Sequence, residues 1–269
     1  MKIGVCLEMF FTDRPFTDRI AAAAEAGCRN VEMWFIDATA GVENGAKDPD
    51  AIRTVAQQAG VTVTNAVIGS PDGSLGGGLT DPARRGEWLD RTDATLDFCR
   101  KAGIGAAIVC TGNGVEGSTR GQMRSSVLDG LRSTVDKADA YGVDLWLEPL
   151  NDKIDHKGYM LTGSDAAADL CREIGSPRLK LLFDCYHMQI MEGDLIGHLE
   201  RHKDVLGHVH MAGHPGRHEL WLGEINYPFV VRRIETMGYE GVIALEYAPT
   251  LDPSESLRRA IAYLEGEIT

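Results

Sequence analysis

The stretch Ile3-Gly4-Val5-Cys6-Leu7-Glu8-Met9-Phe10-Phe11 decides between the two α/β architectures open to this chain. It reads as a strand, Ile3–Met9, that runs straight into Met9-Phe10-Phe11. A doubly wound sheet of the dinucleotide-binding kind carries GxGxxG after its first strand, so that backbone can close on a phosphate. No such glycines follow here. Seven more apolar runs read as strands: Asn30–Phe35, Val61–Val67, Ala106–Thr111, Asp144–Leu150, Leu179–Tyr186, Leu206–Ala212 and Gly241–Tyr247. Between them, helical periodicity marks Phe16–Ala26, Ala51–Ala59, Arg84–Ala102, Met123–Tyr141, Asp165–Ile174, Asp194–His202, Tyr227–Met237 and Ser254–Glu265. Strand starts fall about 27 to 45 residues apart, the length of one strand–helix unit with its loops. Helix-to-strand turns at Gly27, Gly60, Gly103, Gly142 and Gly238 support the alternation. Eight such units predict a (β/α)8 TIM barrel.

Length is consistent with that. At about 150 residues per domain the 269 residues would make two, but single α/β barrels run to this size. A single domain over residues 1–269 is therefore expected. Lys and Arg number 27 against 40 Asp and Glu, a formal charge of −13. Such a balance speaks against nucleic acid and anionic membrane surfaces as partners, because phosphate binding needs a basic footprint. No window reaches the roughly 18 uncharged apolar residues of a spanning helix. The start, MKIGVCLEMFF, is broken by Glu8 and lacks a cleavage site. Six scattered cysteines without a CxxC pair read as reduced thiols, hence a cytoplasmic protein. The glycine-rich stretch Gly69–Thr80 lacks the Gly-Lys-Ser/Thr ending of a phosphate-binding loop and reads as a strand-to-helix loop or lid.

A barrel places its chemistry at the C-terminal ends of its strands. The last four strands each finish on a metal-capable group: Glu148 in Asp144-Leu145-Trp146-Leu147-Glu148-Pro149, Asp184 after Phe183, His210 after Val209, and Glu246 after Leu245. Side chains alternate along a strand, so Leu147, Phe183, Val209 and Leu245 face the helices and the four polar groups point into the mouth. Three carboxylates and an imidazole aimed at one point repel unless a cation compensates. This oxygen-rich set suits Mn²⁺ or Mg²⁺, with Co²⁺ as a further fit, better than thiolate-rich zinc. His208 shares that face one layer deeper and reads as a packed, hydrogen-bonded residue. His187 and the loop residue Arg217 are placed to meet a bound anion or hydroxyl, Arg217 by a bidentate grip on a carboxylate. The i,i+4 pair His198/His202 lacks the glutamate of HExxH and is expected to face solvent. Asn226, before Tyr227-Pro228, reads as a helix cap.

The strand-end motifs LEPLN, FDCYHMQ, HVHMAG, GEINYP and ALEY resemble those of the sugar isomerase/epimerase superfamily of TIM barrels, which includes xylose isomerase and endonuclease IV. LFDCYHMQIMEG, GEINYP and the opening EMFFTDRPFTDRIAAAAEAG are most similar to the hydroxypyruvate isomerase family, along essentially the whole chain. The resemblance implies an isomerase that moves a proton between carbons next to a carbonyl, through an enediolate. It makes Glu148 and Glu246 the acid/base pair, and Glu148, Asp184, His210 and Glu246 the ligands of a divalent metal. His187 and Arg217 become contacts to a small keto acid or ketose. It also implies that copies can associate as a homo-oligomer. Hydroxypyruvate to tartronate semialdehyde is the reaction expected, with a ketose 3-epimerase or other keto-sugar isomerase as the alternative. A DNA-repair endonuclease would need more histidine ligands and a basic surface, and a non-catalytic sugar-binding subunit would not need an acid/base pair.

Overall fold

In the computed structural model, residues 2–41, 45–69 and 78–266 are described. Among the described residues nine strands form one parallel sheet: β1 Lys2–Cys6, β2 Asn30–Glu32, β3 Thr62–Val63, β4 Asn65–Ile68, β5 Ala106–Val109, β6 Asp144–Leu147, β7 Leu179–Asp184, β8 Leu206–Met211 and β9 Val242–Leu245. Their order is β3-β2-β1-β9-β8-β7-β6-β5-β4. All eight expected strands are present, the third in two pieces broken at Thr64. β3 pairs with β2 and β4 pairs with β5. Across the seam, Thr64 N donates to Val31 O at 2.9 Å and Val67 N to Trp34 O at 3.0 Å, which brings the ring round on itself. The architecture is a TIM barrel.

Nine α-helices are described: α1 Phe16–Glu25, α2 Pro49–Ala59, α3 Arg85–Ala102, α4 Arg120–Tyr141, α5 Ser164–Ile174, α6 Cys185–Met191, α7 Leu195–His202, α8 Tyr227–Thr236 and α9 Pro253–Glu265. Several start on side-chain caps. Thr119 and Gln122 form a reciprocal capping box on α4, and Asn226 Oδ1 accepts from Phe229 N at 3.1 Å at the head of α8. At the other end, Gly103 (φ 76°) and Gly142 (φ 71°) close α3 and α4 in the left-handed region, where a side chain would be strained.

Most strands stop one to three residues short of the expected runs, and at one of them the element itself changes. The strand read as Leu179–Tyr186 stops at Asp184, and α6, which was not foreseen, begins at Cys185. Asp184 Oδ1 accepts from Tyr186 N at 2.7 Å and His187 N at 3.2 Å, so the last residue of the strand is also the cap of the helix. The apolar run through Cys185 and Tyr186 hid that turn. The pair His198/His202 also differs. His202 is buried, because α7 lays it against α5: its Nε2 sits 2.8 Å from Asp165 Oδ1, and Arg172 Nη2 lies 3.3 Å from its Nδ1. Of the glycine-rich stretch, residues 70–77 lie outside the described residues.

The layer between helices and sheet is apolar, with Val5, Leu147, Phe183, Val209 and Leu245 fully buried. A buried charged cluster lies just beyond β1. Glu8, just beyond β1, is 2.7 Å from Lys47 Nζ through Oε1, and its Oε2 accepts from Ala40 N at 2.8 Å and lies 3.9 Å from Arg19 Nη1. Lys47 also donates to Phe35 O at 2.6 Å and to Ala38 O. Arg19 donates to Leu7 O at 3.0 Å and to Ala40 O. These bonds fold the segment after β2 back over β1. Removing one partner of a buried pair strands the other charge in a dry setting. Lys47→Met should therefore lower stability by about 3–5 kcal/mol, seen as a lower urea midpoint with an unchanged slope. A loss under about 1 kcal/mol would show that Arg19 alone satisfies Glu8.

Candidate active site

The strand ends deliver their polar groups to one spot. Glu148 and Glu246 lie one residue past β6 and β9, where the ladder continues through Glu148 N to Val109 O and Glu246 N to Met211 O, both at 3.0 Å. Asp184 ends β7 and stands in register with His210 of β8. All four are buried, and one donor atom from each lies within 4.8 Å of the others. His210 Nδ1 sits 3.4 Å from Glu246 Oε2 and 3.7 Å from Glu148 Oε1. Buried Asp184 Oδ2 and His210 Nδ1 have no hydrogen-bond partner among the described residues. Two orphaned polar atoms inside a carboxylate cluster are what a cation would satisfy, so the donor set fits a divalent metal. Glu148, Asp184, His210 and Glu246 are the residues that would hold it.

Burial pushes the Glu148 carboxyl up to about 7, and raises Asp184 as well. Burial works the same way on Glu246, but His210 and Arg217 outweigh it and hold Glu246 far below the ordinary carboxylate range. The two glutamates therefore have opposite protonation preferences beside the same nitrogen, His210 Nδ1. For His210, burial is overcome by Glu32 and Glu246, which draw its pKa well upward.

Glu32, at the end of β2, was not anticipated. It is buried, with Oε1 2.6 Å from His208 Nε2 and Oε2 2.9 Å from His210 Nε2. This leaves His210 Nδ1 as the nitrogen facing the carboxylates. His208 packs one layer below, stacked on Trp146 with centroids 4.1 Å apart and planes 3° from parallel. Burial opposes the charge on Glu32, yet the two imidazoles hold its carboxyl at about 2. Trp34 was also missed: its Nε1 donates to Glu246 Oε1 at 2.8 Å. Both residues share one parity at the C-terminal end of the second run, Asn30–Phe35, so the alternation that found Glu148 and Glu246 reaches them too.

His187 and Arg217 reach the same cavity. Asn151 approaches His187 Nδ1 with its Nδ2 at 2.6 Å and its N at 3.3 Å. Both are donors, so Nδ1 accepts and the ring carries its proton on Nε2, 3.5 Å from Asp184 Oδ2. Burial lowers the His187 pKa well below its ordinary value and keeps the ring neutral. Arg217, held at φ 57°, donates through Nη2 to Glu246 Oε2 at 2.6 Å and through Nε to Glu246 O at 3.3 Å. Its guanidinium lies 5.3 Å over the Tyr186 ring. A bidentate grip on a substrate is thus partly pre-empted by Glu246. The cavity encloses about 840 Å³ and is also lined by Cys110, Asn113, Asp155, His156 and Lys157. Of these, Asn113, Asp155, His156 and Lys157 lie on loops and carry no periodic signal in the sequence.

Asp165, His198 and His202 form a second carboxylate–imidazole group. Arg201 Nη1 lies 2.9 Å from Asp165 Oδ1 and 3.1 Å from His198 Nδ1, so the charge of Asp165 is balanced by an arginine.

Comparison with known proteins bears on the family and the fold. The model of the xylose isomerase-like TIM barrel family matches residues 20–266. The chain is 34% identical to a 2-oxo-tetronate isomerase of Cupriavidus necator, covering 98% of both. It is 28% identical to a hydroxypyruvate isomerase of Escherichia coli, over 96% of this chain and 97% of that one. Among solved structures, a protein described as an AP endonuclease of family 2 from Brucella melitensis superposes with a TM-score of 0.87 at 28% identity, over 98% and 99% of the two chains. The family model covers most of the chain, and the chain belongs to the xylose isomerase-like TIM barrel family.

Proposed function

We propose that this chain is an isomerase that moves one proton between adjacent carbons of a small 2-keto acid. The reaction is the interconversion of hydroxypyruvate and tartronate semialdehyde, or its four-carbon counterpart. The relatives named hydroxypyruvate isomerase and 2-oxo-tetronate isomerase support the class. The observation that carries it is the pair Glu148 and Glu246, both buried, both lining one cavity, and 3.7 and 3.4 Å from the same nitrogen, His210 Nδ1. Two carboxyls held at one cavity can remove and return a proton at adjacent carbons.

In this reading one glutamate takes a proton from the hydroxyl-bearing carbon next to the carbonyl. The electron pair left behind makes the carbon–carbon double bond of an enediolate. The other glutamate, or the same one, then returns a proton to the neighbouring carbon, while the hydroxyl proton passes to the former carbonyl oxygen. Return on one face gives isomerisation. Trp34 and Arg217 hold Glu246 by both carboxylate oxygens, so its approach to carbon is fixed. His187 offers Nε2–H, and Arg217 the remainder of its guanidinium, to substrate oxygens. A divalent ion, Mn²⁺ or Mg²⁺ and acceptably Co²⁺, supplies electrostatic stabilisation of developing negative charge on oxygen when bound.

Two carboxyls beside one cavity also serve 3-epimerisation, and D-fructose or D-tagatose turning over much faster than keto acids would move the assignment there. A polyanionic substrate is disfavoured by the net charge of −13. We place the enzyme in the cytoplasm as one domain of residues 1–269, with self-association of copies; its six cysteines are free, and no described helix is long and apolar enough to cross a membrane.

Glu148→Gln and Glu246→Gln should each abolish solvent deuterium incorporation into hydroxypyruvate, followed by proton NMR, with losses on the order of 10²–10⁴-fold. Exchange near the wild-type rate in either variant refutes the two-glutamate mechanism. Chelation with EDTA should remove activity that added Mn²⁺ restores. Full turnover by protein shown to be metal-free would eliminate the metal's part.

A further inference from the structure

On the reading just given, the substrate brings a carboxylate into a cavity that Glu148, Glu246, Asp81 and Asp155 already line. An added anion there needs a cation of its own. Among the described residues the cavity has three permanent cations, Arg84, Lys157 and Arg217. Residues 42–44 and 70–77 contain no Lys, Arg or His. Arg217 is engaged with Glu246 through Nη2 and Nε. Arg84 donates to Glu87 Oε2 through Nε at 3.2 Å and Nη2 at 2.8 Å. Lys157 alone has neither an ion pair nor a hydrogen bond among the described residues.

The loop that presents Lys157 is built to hold position. At its start Asn151, fully buried, accepts through Oδ1 from Ile154 N and Asp155 N, both at 3.0 Å, and donates through Nδ2 to Asp155 Oδ2 at 2.6 Å. That bond also ties down the charge of Asp155. Beyond Lys157, Gly114 N donates to Gly158 O at 2.8 Å, and Met160 N to Gly112 O at 3.0 Å. The Tyr159 hydroxyl accepts from Thr111 N at 2.7 Å and donates to Glu148 O at 3.1 Å. Lys157 therefore sits on a strap fastened at both ends, one of them to the backbone of a catalytic glutamate. On the same strap His156 turns a half-buried ring towards His187, centroids 5.4 Å apart. Asn113, on the loop paired with the strap, lines the same wall.

We propose that Lys157, flanked by His156 and Asn113, is the carboxylate subsite that makes this cavity select keto acids over neutral ketoses of the same skeleton. Lys157 acts on specificity and touches no reacting carbon. Hydroxypyruvate and dihydroxyacetone share the ketone and the proton-yielding carbon, and differ only in carboxylate against hydroxymethyl. They separate recognition of charge from chemistry.

The test is the ratio of kcat/KM for hydroxypyruvate to the rate of deuterium exchange into dihydroxyacetone, in wild type, Lys157→Met and Lys157→Arg. Loss of a charge-assisted contact should lower the ratio about tenfold in Lys157→Met, through KM, with recovery in Lys157→Arg. A ratio within about twofold of wild type in Lys157→Met overturns the subsite. Binding of D-glycerate, measured by calorimetry on the same proteins, separates this inference from the functional reading on which it rests. Wild type that turns over no keto acid refutes the reading; binding weakened about tenfold by Lys157→Met still supports the subsite, and equal binding overturns it.

Discussion

Three carboxylates must share a dry barrel mouth with one imidazole, and most of the surrounding structure answers that constraint. Two like charges 4 Å apart cost about 4 kcal/mol at the effective dielectric of a protein surface, and more in a drier setting. Glu148, Asp184 and Glu246 bring donor atoms within 4.8 Å of His210 and of one another. Each is relieved differently. Glu246 takes Trp34 and Arg217, and Asp184 takes two backbone N–H groups at the start of α6. Glu148, with the least help, is the one whose burial drives it towards neutrality. The unequal distribution of partners among chemically similar groups is what drives the carboxyl pKa values of the two glutamates in opposite directions.

The same constraint runs below the mouth. Glu32 gives its two oxygens to two imidazoles, one in the site and one beneath it. A carboxylate behind a ligand histidine fixes which ring nitrogen is available and makes it a better donor. His208 then fills the layer beneath by stacking on Trp146, so the polar column ends on an aromatic surface with no further charge. The cluster at Glu8, Lys47 and Arg19 does related work sideways. It pins the backbone of Phe35 and Ala38, a few residues past Trp34, and so ties the Glu246 hydrogen bond to the folding of the segment after β2.

How far the sequence could be read follows from how each residue is positioned. Glu148, Asp184, His210 and Glu246 were legible because strand ends and side-chain alternation are periodic. Glu32 and Trp34 obey the same rule at the end of the second run, but β2 stops at Glu32, so the period alone does not carry Trp34 to Glu246. The start of α6 was hidden because Asp184 serves two elements at once, and apolar Cys185 and Tyr186 continue the strand's composition into a helix. His202 was misplaced because i,i+4 spacing says which residues share a face, not which face meets α5. Asn151, Asp155, His156 and Lys157 belong to a loop whose shape comes from hydrogen bonds between side chain and backbone, and no period announces it.

That last group shows where chemistry and selectivity meet. Strand-end residues can change little, since each is held from two sides and faces the others at close range. Loops vary freely when they hang on their own. The strap carrying Lys157 does not hang on its own: Asn151 bonds at once to Asp155 and to His187 Nδ1, and Tyr159 bonds to the carbonyl of Glu148. A change that reshapes the strap must therefore disturb either the tautomer of His187 or the backbone that aims Glu148. Side chains at 156 and 157, which make none of those bonds, are the positions left free to alter what binds without altering what reacts.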